Sequence, residues 1–327
     1  MKALRFIACA IAWITAVVCV AWAFGALYFD FPTAGAFTAI LFVLLLLAVI
    51  VFVRGKLLKL AIVFGVFALV ALWWLTLKPS NDRNWQPDVA QTAWADINGD
   101  EVTVHNVRNC DYRTETDFTP RWETRMVRLS QIRGMDVAIN YWGSPWIAHP
   151  IVSFQFADAL PLCFSIETRK TIGQKYSTLE GFYRQYTLIY VVADERDCIR
   201  LRTNYRREDV YLYHTLASPA QARERFREYI NTINALHENP RWYNAVTSNC
   251  TTSIRNQRSV KLRAPWDWRI LFNGKADEML YQDHAIATGG LPFTELKQRS
   301  LINSRARAAD KDPDFSRVIR EGLPQTN

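Results

Sequence analysis

Three apolar runs open the chain, over residues 6–29, 34–53 and 57–77. Each is about the length that carries a helix across a bilayer core, ~20 residues. Asp30-Phe31-Pro32-Thr33 separates the first pair and Arg54-Gly55-Lys56 the second, so neighbouring helices must run antiparallel. A cleaved signal peptide is the alternative for the first run. It is long for one, no small-residue cleavage site closes it, and two more spans follow at once. A buried soluble helical core fits worse, because three successive spans carry so little charge.

Basic residues set the orientation. Lys2 and Arg5 precede the first span, and Arg54, Lys56 and Lys59 flank the second connection, whereas the first connection holds Asp30 and no Lys or Arg. The positive-inside rule places the N-terminus and residues 54–56 in the cytoplasm, and three spans then deliver the rest to the other side. In a Gram-negative cell this is a multi-pass inner-membrane protein with its soluble domain in the periplasm. Trp73, Trp74 and Trp85 suit an interfacial aromatic belt at the exit. The expected organisation is a three-helix transmembrane anchor over 1–77, a polar linker over 78–95 and a catalytic domain over 96–327. The domain is long enough for a sizeable core. Despite a formal charge of +8, the placement argues against nucleic acid as a partner.

Cys9 and Cys19 lie in the first run, and Cys110, Cys163, Cys198 and Cys250 in the soluble part. In an oxidising compartment the last four have the numbers for two disulfides. No Cys/His set has zinc spacing, so neither a metal nor a cofactor is expected. Cys163 and Cys198 sit in strand-like apolar runs, where a small buried thiol is the plain reading.

Ile97-Asn98-Gly99-Asp100 is a hairpin signal. Alternating stretches predict strands over 101–107, 124–129, 136–142, 147–156, 160–168, 187–193, 197–201 and 210–214, with a short helix over 181–186. Ser218-Pro219 starts a helix with an N-cap and a Pro at its first position, and its apolar residues recur with helical period. Asn239-Pro240 ends it. Further helices are expected from Asn249 or Cys250, and over 268–281, 294–308 and 313–322. Strands first and helices later imply an α+β domain.

Cys250 lies in Tyr243-Asn244-Ala245-Val246-Thr247-Ser248-Asn249-Cys250-Thr251-Thr252, which reads as a loop entering a helix. Free N–H groups at such a start stabilise a thiolate and hold an oxyanion. A Cys nucleophile needs a base, and of the five histidines His149 suits best, at the mouth of an apolar strand. The plainer reading of His149 is a ring that satisfies a backbone carbonyl. A turn at Ala157-Asp158-Ala159 pairs His149 with Glu167, which makes Glu167 or Ser165 a candidate to orient the imidazole. Otherwise Glu167 is a surface carboxylate paired with Arg169 or Lys170. His105, His214, His237 and His284 read as structural or solvated. Arg184, Arg196, Arg200, Arg202, Arg206 and Arg207 would suit anionic head groups. Their interleaving with Asp194, Glu195, Asp197, Glu208 and Asp209 favours a solvated face instead.

Four runs carry a resemblance. Ser165-Ile166-Glu167-Thr168-Arg169-Lys170, the stretch from Tyr190 to Asp197, Leu201-Arg202-Thr203-Asn204-Tyr205-Arg206, and Tyr243-Asn244 with Asn249-Cys250-Thr251-Thr252 resemble the Lnb-type periplasmic domain family. The resemblance covers most of residues 80–290. The family includes lipoprotein N-acyltransferases, and the His-before-Cys order resembles permuted papain-like (NlpC/P60-like) enzymes with an antiparallel sheet and later helices. It implies Cys250 as nucleophile, His149 as base and Glu167 as third member. Asn249 and the Cys250 N–H would serve the oxyanion, with Ser165, Tyr243 and Asn244 in support. It also implies a phospholipid acyl donor and a lipoprotein acceptor. A periplasmic papain-like amidase or peptidase acting on cell wall is the second reading, and a non-catalytic membrane-anchored binding or assembly protein the third.

Overall fold

The computed structural model describes residues 2–258, 263, 266–270 and 273–324. The chain divides into two compact units.

The first unit holds α1 (Lys2–Asp30), α2 (Gly35–Phe52) and α3 (Lys56–Thr76), with residues 175–187 and 242–245 grouped beside them. All three helices are long and apolar enough to cross a membrane. Their contacts are built on Ala16, Ala23 and Ala39 around Phe42 and Leu46. Small residues let helix backbones approach closely where lipid offers no hydrophobic drive to pair. Phe6, Leu44, Leu45 and Leu72 point outward and are exposed, as a lipid-facing surface requires.

At the end of α1, Asp30 accepts hydrogen bonds from the Trp74 indole (2.6 Å), the Gln185 amide (2.7 Å) and the Arg184 backbone N–H (3.1 Å). The Arg184 guanidinium lies 3.9 Å from the Trp74 ring centroid. A side chain on Gly25 would start 1.9 Å from the Tyr183 hydroxyl, so only glycine admits that ring against α1. The helix expected over 181–186 is a 3-10 turn at Glu180–Phe182. The Arg184 N–H is committed to Asp30, which stops the turn from propagating.

The second unit contains β1 (Trp94–Asn98), β2 (Glu101–Arg108), β5 (Trp122–Arg128), β6 (Ile132–Tyr141), β7 (Ala148–Phe156), β8 (Leu162–Arg169), β9 (Thr187–Ala193) and β10 (Asp209–His214). These form one eight-stranded sheet in the order β1-β2-β9-β8-β7-β6-β10, with β5 paired to β2. Two short strands, β3 (Asp111–Tyr112) and β4 (Phe118–Thr119), make a separate ribbon. The sheet is mixed: β2 and β9 run parallel, joined at Arg108 and Ala193. Residues 78–95 hold a 3-10 turn at Pro87–Val89 and the start of β1. The β1–β2 hairpin turns at Gly99, whose φ of 61° suits glycine.

Side chains alternate between the two faces of a strand. One face carries Phe154 and Phe164, which meet Phe226 and Tyr229 of α5 (Pro219–Glu238) in edge and tilted ring contacts. Ile139, Ala148 and Tyr213 share that face with α7 (Ala276–Gln282) and α8 (Phe293–Ser300). The other face carries Ala138, Ile151 and Cys163. They pack on α4 (Glu195–Arg200), α9 (Asn303–Ala308) and α10 (Phe315–Val318).

The strand expected over 197–201 is helix, running from α4 into a π turn at Leu201–Tyr205. Asp194 caps it by accepting from the Arg196 N–H, and acids in the first turn with Arg200 in the last match the helix dipole. Cys198 is therefore helical. The helix expected over 294–308 is two. Leu301 bridges Tyr211 and the Ile302 N–H donates to Val210 O (3.0 Å), so sheet bonds interrupt the helical ladder there. Over 268–281, 3-10 turns at Trp268–Ile270 and Asn273–Lys275 precede α7, and residues 271 and 272 lie outside the described residues. Of 313–322 only α10 is α-helical.

Candidate active site at one end of the sheet

Cys250 is the first residue of α6 (Cys250–Asn256). Asn249 caps the helix: its side-chain oxygen accepts from the Thr252 N–H (2.9 Å), while the Thr252 hydroxyl accepts from the Asn249 N–H (2.9 Å). The thiol is buried. Asn273 Nδ2 donates to its sulfur at 3.3 Å, and Asn273 Oδ1 accepts from the Ala148 N–H at 2.9 Å. One amide thus joins the sulfur to the peptide just before His149. Burial pushes the Cys250 thiol up, and donors from Thr251 and Asn273 offset only part of that. The sulfur rests as an uncharged thiol.

His149 is the second residue of β7, opposite Asn140 of β6. Its Nε2 lies 2.7 Å from Ser165 Oγ, and Ser165 Oγ donates to Glu167 Oε1 at 2.7 Å. Ser165 faces Ile151 across β7 and β8, and the same register carried two residues on sets Glu167 opposite His149. Because the Ser165 hydroxyl proton goes to Glu167, its oxygen accepts from His149 Nε2–H. Nδ1 then keeps the lone pair. Arg202 ends the relay, donating to Glu167 Oε1 (3.2 Å) and to Asn140 Oδ1 (3.1 Å).

Burial pushes the His149 ring down to about 3, with the Arg202 charge adding to the fall and Glu167 offsetting part. Burial acts to raise the Glu167 carboxyl, but Arg202 and Arg108 outweigh it and hold it well below the usual carboxylate range. At neutral pH the relay is a neutral imidazole, a hydroxyl and an ionised carboxylate beside a guanidinium.

These groups fall on two faces. His149, Asn140, Ser165 and Glu167 alternate in step with Ala138, Ile151 and Cys163, on the α4 face. Cys250 belongs to the α5 face: Arg225 of α5 donates to Ile254 O of α6 (2.9 Å), and Asn273 precedes α7. Among the described residues no hydrogen bond joins Cys250 to His149. Asn273 and the Ala148 peptide connect them instead. Tyr243 and Asn244 belong to the first unit, where the Tyr243 N–H donates to Tyr186 O (3.0 Å) and Asn244 Nδ2 to Phe182 O (3.4 Å).

Residues 118–274 match the family model of the Lnb N-terminal periplasmic domain. No curated protein and no solved structure matches the chain. The match and the three apolar helices fit a membrane protein with a periplasmic domain. Within the matched segment lie His149, Ser165, Glu167, Arg202, Cys250 and Asn273.

The other histidines of the chain take structural places. His105 stacks on Trp94, His214 pairs with Asp136 at 2.7 Å, His237 meets Thr92 at 2.7 Å, and His284 sits in a turn at φ 51°. All six cysteines are free thiols in this structure, and the Cys163 and Cys198 side chains are hydrogen-bonded to each other. The basic run is solvated only in part: Arg207 and Asp209 are exposed, whereas Arg200 and Arg202 are buried together with Asp194, Glu195 and Asp197. Sequence reasoning missed Asn273 by placing it inside a helix, although Asn273-Gly274 is a turn dipeptide. Arg202 was missed because a π turn has no periodic signature. A cavity of about 570 Å³ lies elsewhere in the second unit, lined by Cys110, Arg121, Glu123, Arg125 and Asp194 among others, and neither Cys250 nor His149 lines it.

Proposed function

We propose that this protein is a membrane-anchored acyltransferase that moves an acyl chain from a phospholipid to the amino terminus of a lipid-anchored protein. The observation that carries the reading is the Lnb-type match, whose 118–274 span holds a buried Cys at a capped helix start and a His-Ser-Glu-Arg relay tied to it through Asn273. The sulfur attacks the ester carbonyl. A C–S bond forms, the ester C–O bond breaks, and the lysophospholipid leaves with the thiol proton, passed on by His149 Nδ1. The amine then attacks the thioester: an amide C–N bond forms, the C–S bond breaks, and the proton lost by the amine returns to the sulfur by way of His149. Backbone N–H groups at the α6 start and Asn273 Nδ2 are the donors for the oxyanion. Because thiol and imidazole are both uncharged at rest, proton transfer accompanies attack rather than preceding it.

The reading requires the start of β7 to release His149 from Ser165 and bring Nδ1 to the sulfur. Gly143, at φ 67°, lies in the loop that precedes this strand. Disulfide trapping tests that step: His149→Cys should cross-link to Cys250 when phospholipid is present, and absence of the cross-link removes His149 as base. In cells depleted of their usual lipoprotein N-acyltransferase, expression should restore N-acylated lipoprotein termini by mass spectrometry. Unacylated termini despite good expression would refute the transferase.

The two-faced arrangement favours a second reading, a non-catalytic binding or assembly protein in which Cys250 is a buried structural thiol. It predicts no hydroxylamine-sensitive acyl adduct on Cys250 when the full chain meets phospholipid vesicles.

A further inference from the structure

Twelve tryptophans occur in the chain, and among the described residues the exposed ones are Trp142, Trp146, Trp266 and Trp268. All four lie on two loops at the candidate site. Trp142 and Trp146 are on the loop between β6 and β7, and the Trp142 ring centroid is 6.5 Å from that of His149. Trp266 and Trp268 precede Asn273. The two loops are tied together and to the site. The Gly274 N–H donates to Trp146 O (3.0 Å), and Thr251, next to Cys250, donates its hydroxyl to Ile270 O (2.7 Å). A Cβ on Gly274 would fall 2.3 Å from the Trp146 backbone, so the approach is closer than any other residue allows.

Each loop pairs an exposed indole with a cation. Lys275 Nζ sits 5.6 Å from the Trp146 ring and the Arg255 guanidinium 5.6 Å from that of Trp266. Ile147, also half exposed, extends the apolar edge. Rings with an apolar body and a polar N–H, flanked by cations, match the chemistry of a phospholipid interface, where acyl chains meet anionic phosphates. A chain with three membrane-crossing helices has such a surface at hand.

We infer that the 142–147 and 266–270 loops form a rim that enters the bilayer interface, so that the acyl donor passes to the site from the membrane without crossing water. The inference rests on the proposed lipid donor for its purpose, but its physical content is contact between four indoles and lipid.

Photo-cross-linking of the full chain tests it. A benzophenone amino acid would replace Trp146, Trp268 or, as an exposed reference on β5, Met126. The chain is reconstituted in vesicles of phosphatidylethanolamine and phosphatidylglycerol. Phospholipid adducts at 146 and 268 should exceed those at 126 by about fivefold or more, as for residues held at an interface. Cys250→Ser should leave that yield unchanged. Adducts to protein alone at 146 and 268, or lipid adducts no greater than at 126, would overturn the inference. Lipid adducts at the rim without any Cys250 thioester would instead keep the rim and remove the transferase.

Discussion

Two buried polar clusters sit on the same face of the same sheet and treat charge in opposite ways. Around α4, Arg108 and Asp197 meet at 2.8 Å with both side chains almost wholly buried, and the Cys110 N–H donates to Asp197 at 2.7 Å. Nearby, Arg320 spans Asp136 (2.8 Å) and Glu195 (2.5 Å). Every charge there is met by its opposite. At the end of β7 the relay ends in an ion pair, Glu167 with Arg202, but begins in an imidazole whose charge burial has removed. Across the sheet, burial likewise keeps Cys250 a thiol. Burial alone therefore does not mark reactivity. A saturated ion network fixes structure, and a neutral proton acceptor with a free lone pair leaves chemistry undone.

The sharpest break of this contrast is a pair of substitutions. Cys250→Ser and His149→Ala should each lower acyl transfer by at least about 10³-fold, as loss of a member of a reacting unit does. Cys250→Ser should leave the melting temperature within about 2 °C of the parent, as a change to a similar small side chain suggests. Asp197→Asn should do the reverse. Leaving Arg108 buried without its partner costs about 3–5 kcal/mol. A fall of roughly 10 °C in thermal unfolding in detergent is expected for a domain of this size. An unchanged melting temperature would show that the α4 network is not what holds that face.

Glu167→Gln tests the join between the two behaviours, because it keeps the Ser165 contact and strips Arg202 of its nearer carboxylate, leaving Glu208 at 3.9 Å. Acyl transfer should fall by about 10- to 100-fold, in line with loss of a group that orients a base. The melting temperature should drop by a few degrees, as for loss of a charged hydrogen bond of about 2 kcal/mol. Activity at parental level would detach the relay from catalysis.

A further effect is read from pH. The ordinary histidine value is 6.5 and the folded His149 value is about 3, so the unfolded chain binds the extra proton between them. The stability due to this group is fully present above 6.5 and is lost as pH falls toward 3, at up to about 1.4 kcal/mol per unit. Glu167, held low in the fold, adds to the loss below its ordinary 4.5. Melting curves from pH 7 to 4.5 should show the slope, and His149→Gln should flatten it. An unchanged slope in His149→Gln would place the titrating group elsewhere.

Much of this was open to a reader of residues. The three spans follow from apolar length alone, and Ser218 and Asn249 announce their caps by side-chain chemistry. The Glu167 register follows from a three-residue turn, because strand pairing counts back from the turn two by two. Local grammar misled where long-range bonds compete with it. Residues 197–201 alternate like a strand, yet the Asp194 cap and partners far away in sequence hold them in a helix and a π turn. The Asp30 carboxylate ends a 3-10 turn 154 residues further along the chain by taking the Arg184 N–H.

The sequence by itself determined the three long apolar helices, the α+β order of elements and the thiol at a helix start, because apolar length and capping are local properties. The tertiary structure alone decided that Asn273 holds the sulfur, that Arg202 anchors the relay and that the exposed tryptophans gather at one end. It also decided which face of the sheet each group occupies. The parity of a strand is written in the chain, but which helix covers which face is settled only by packing, and that choice sets Cys250 and His149 on opposite sides of one strand.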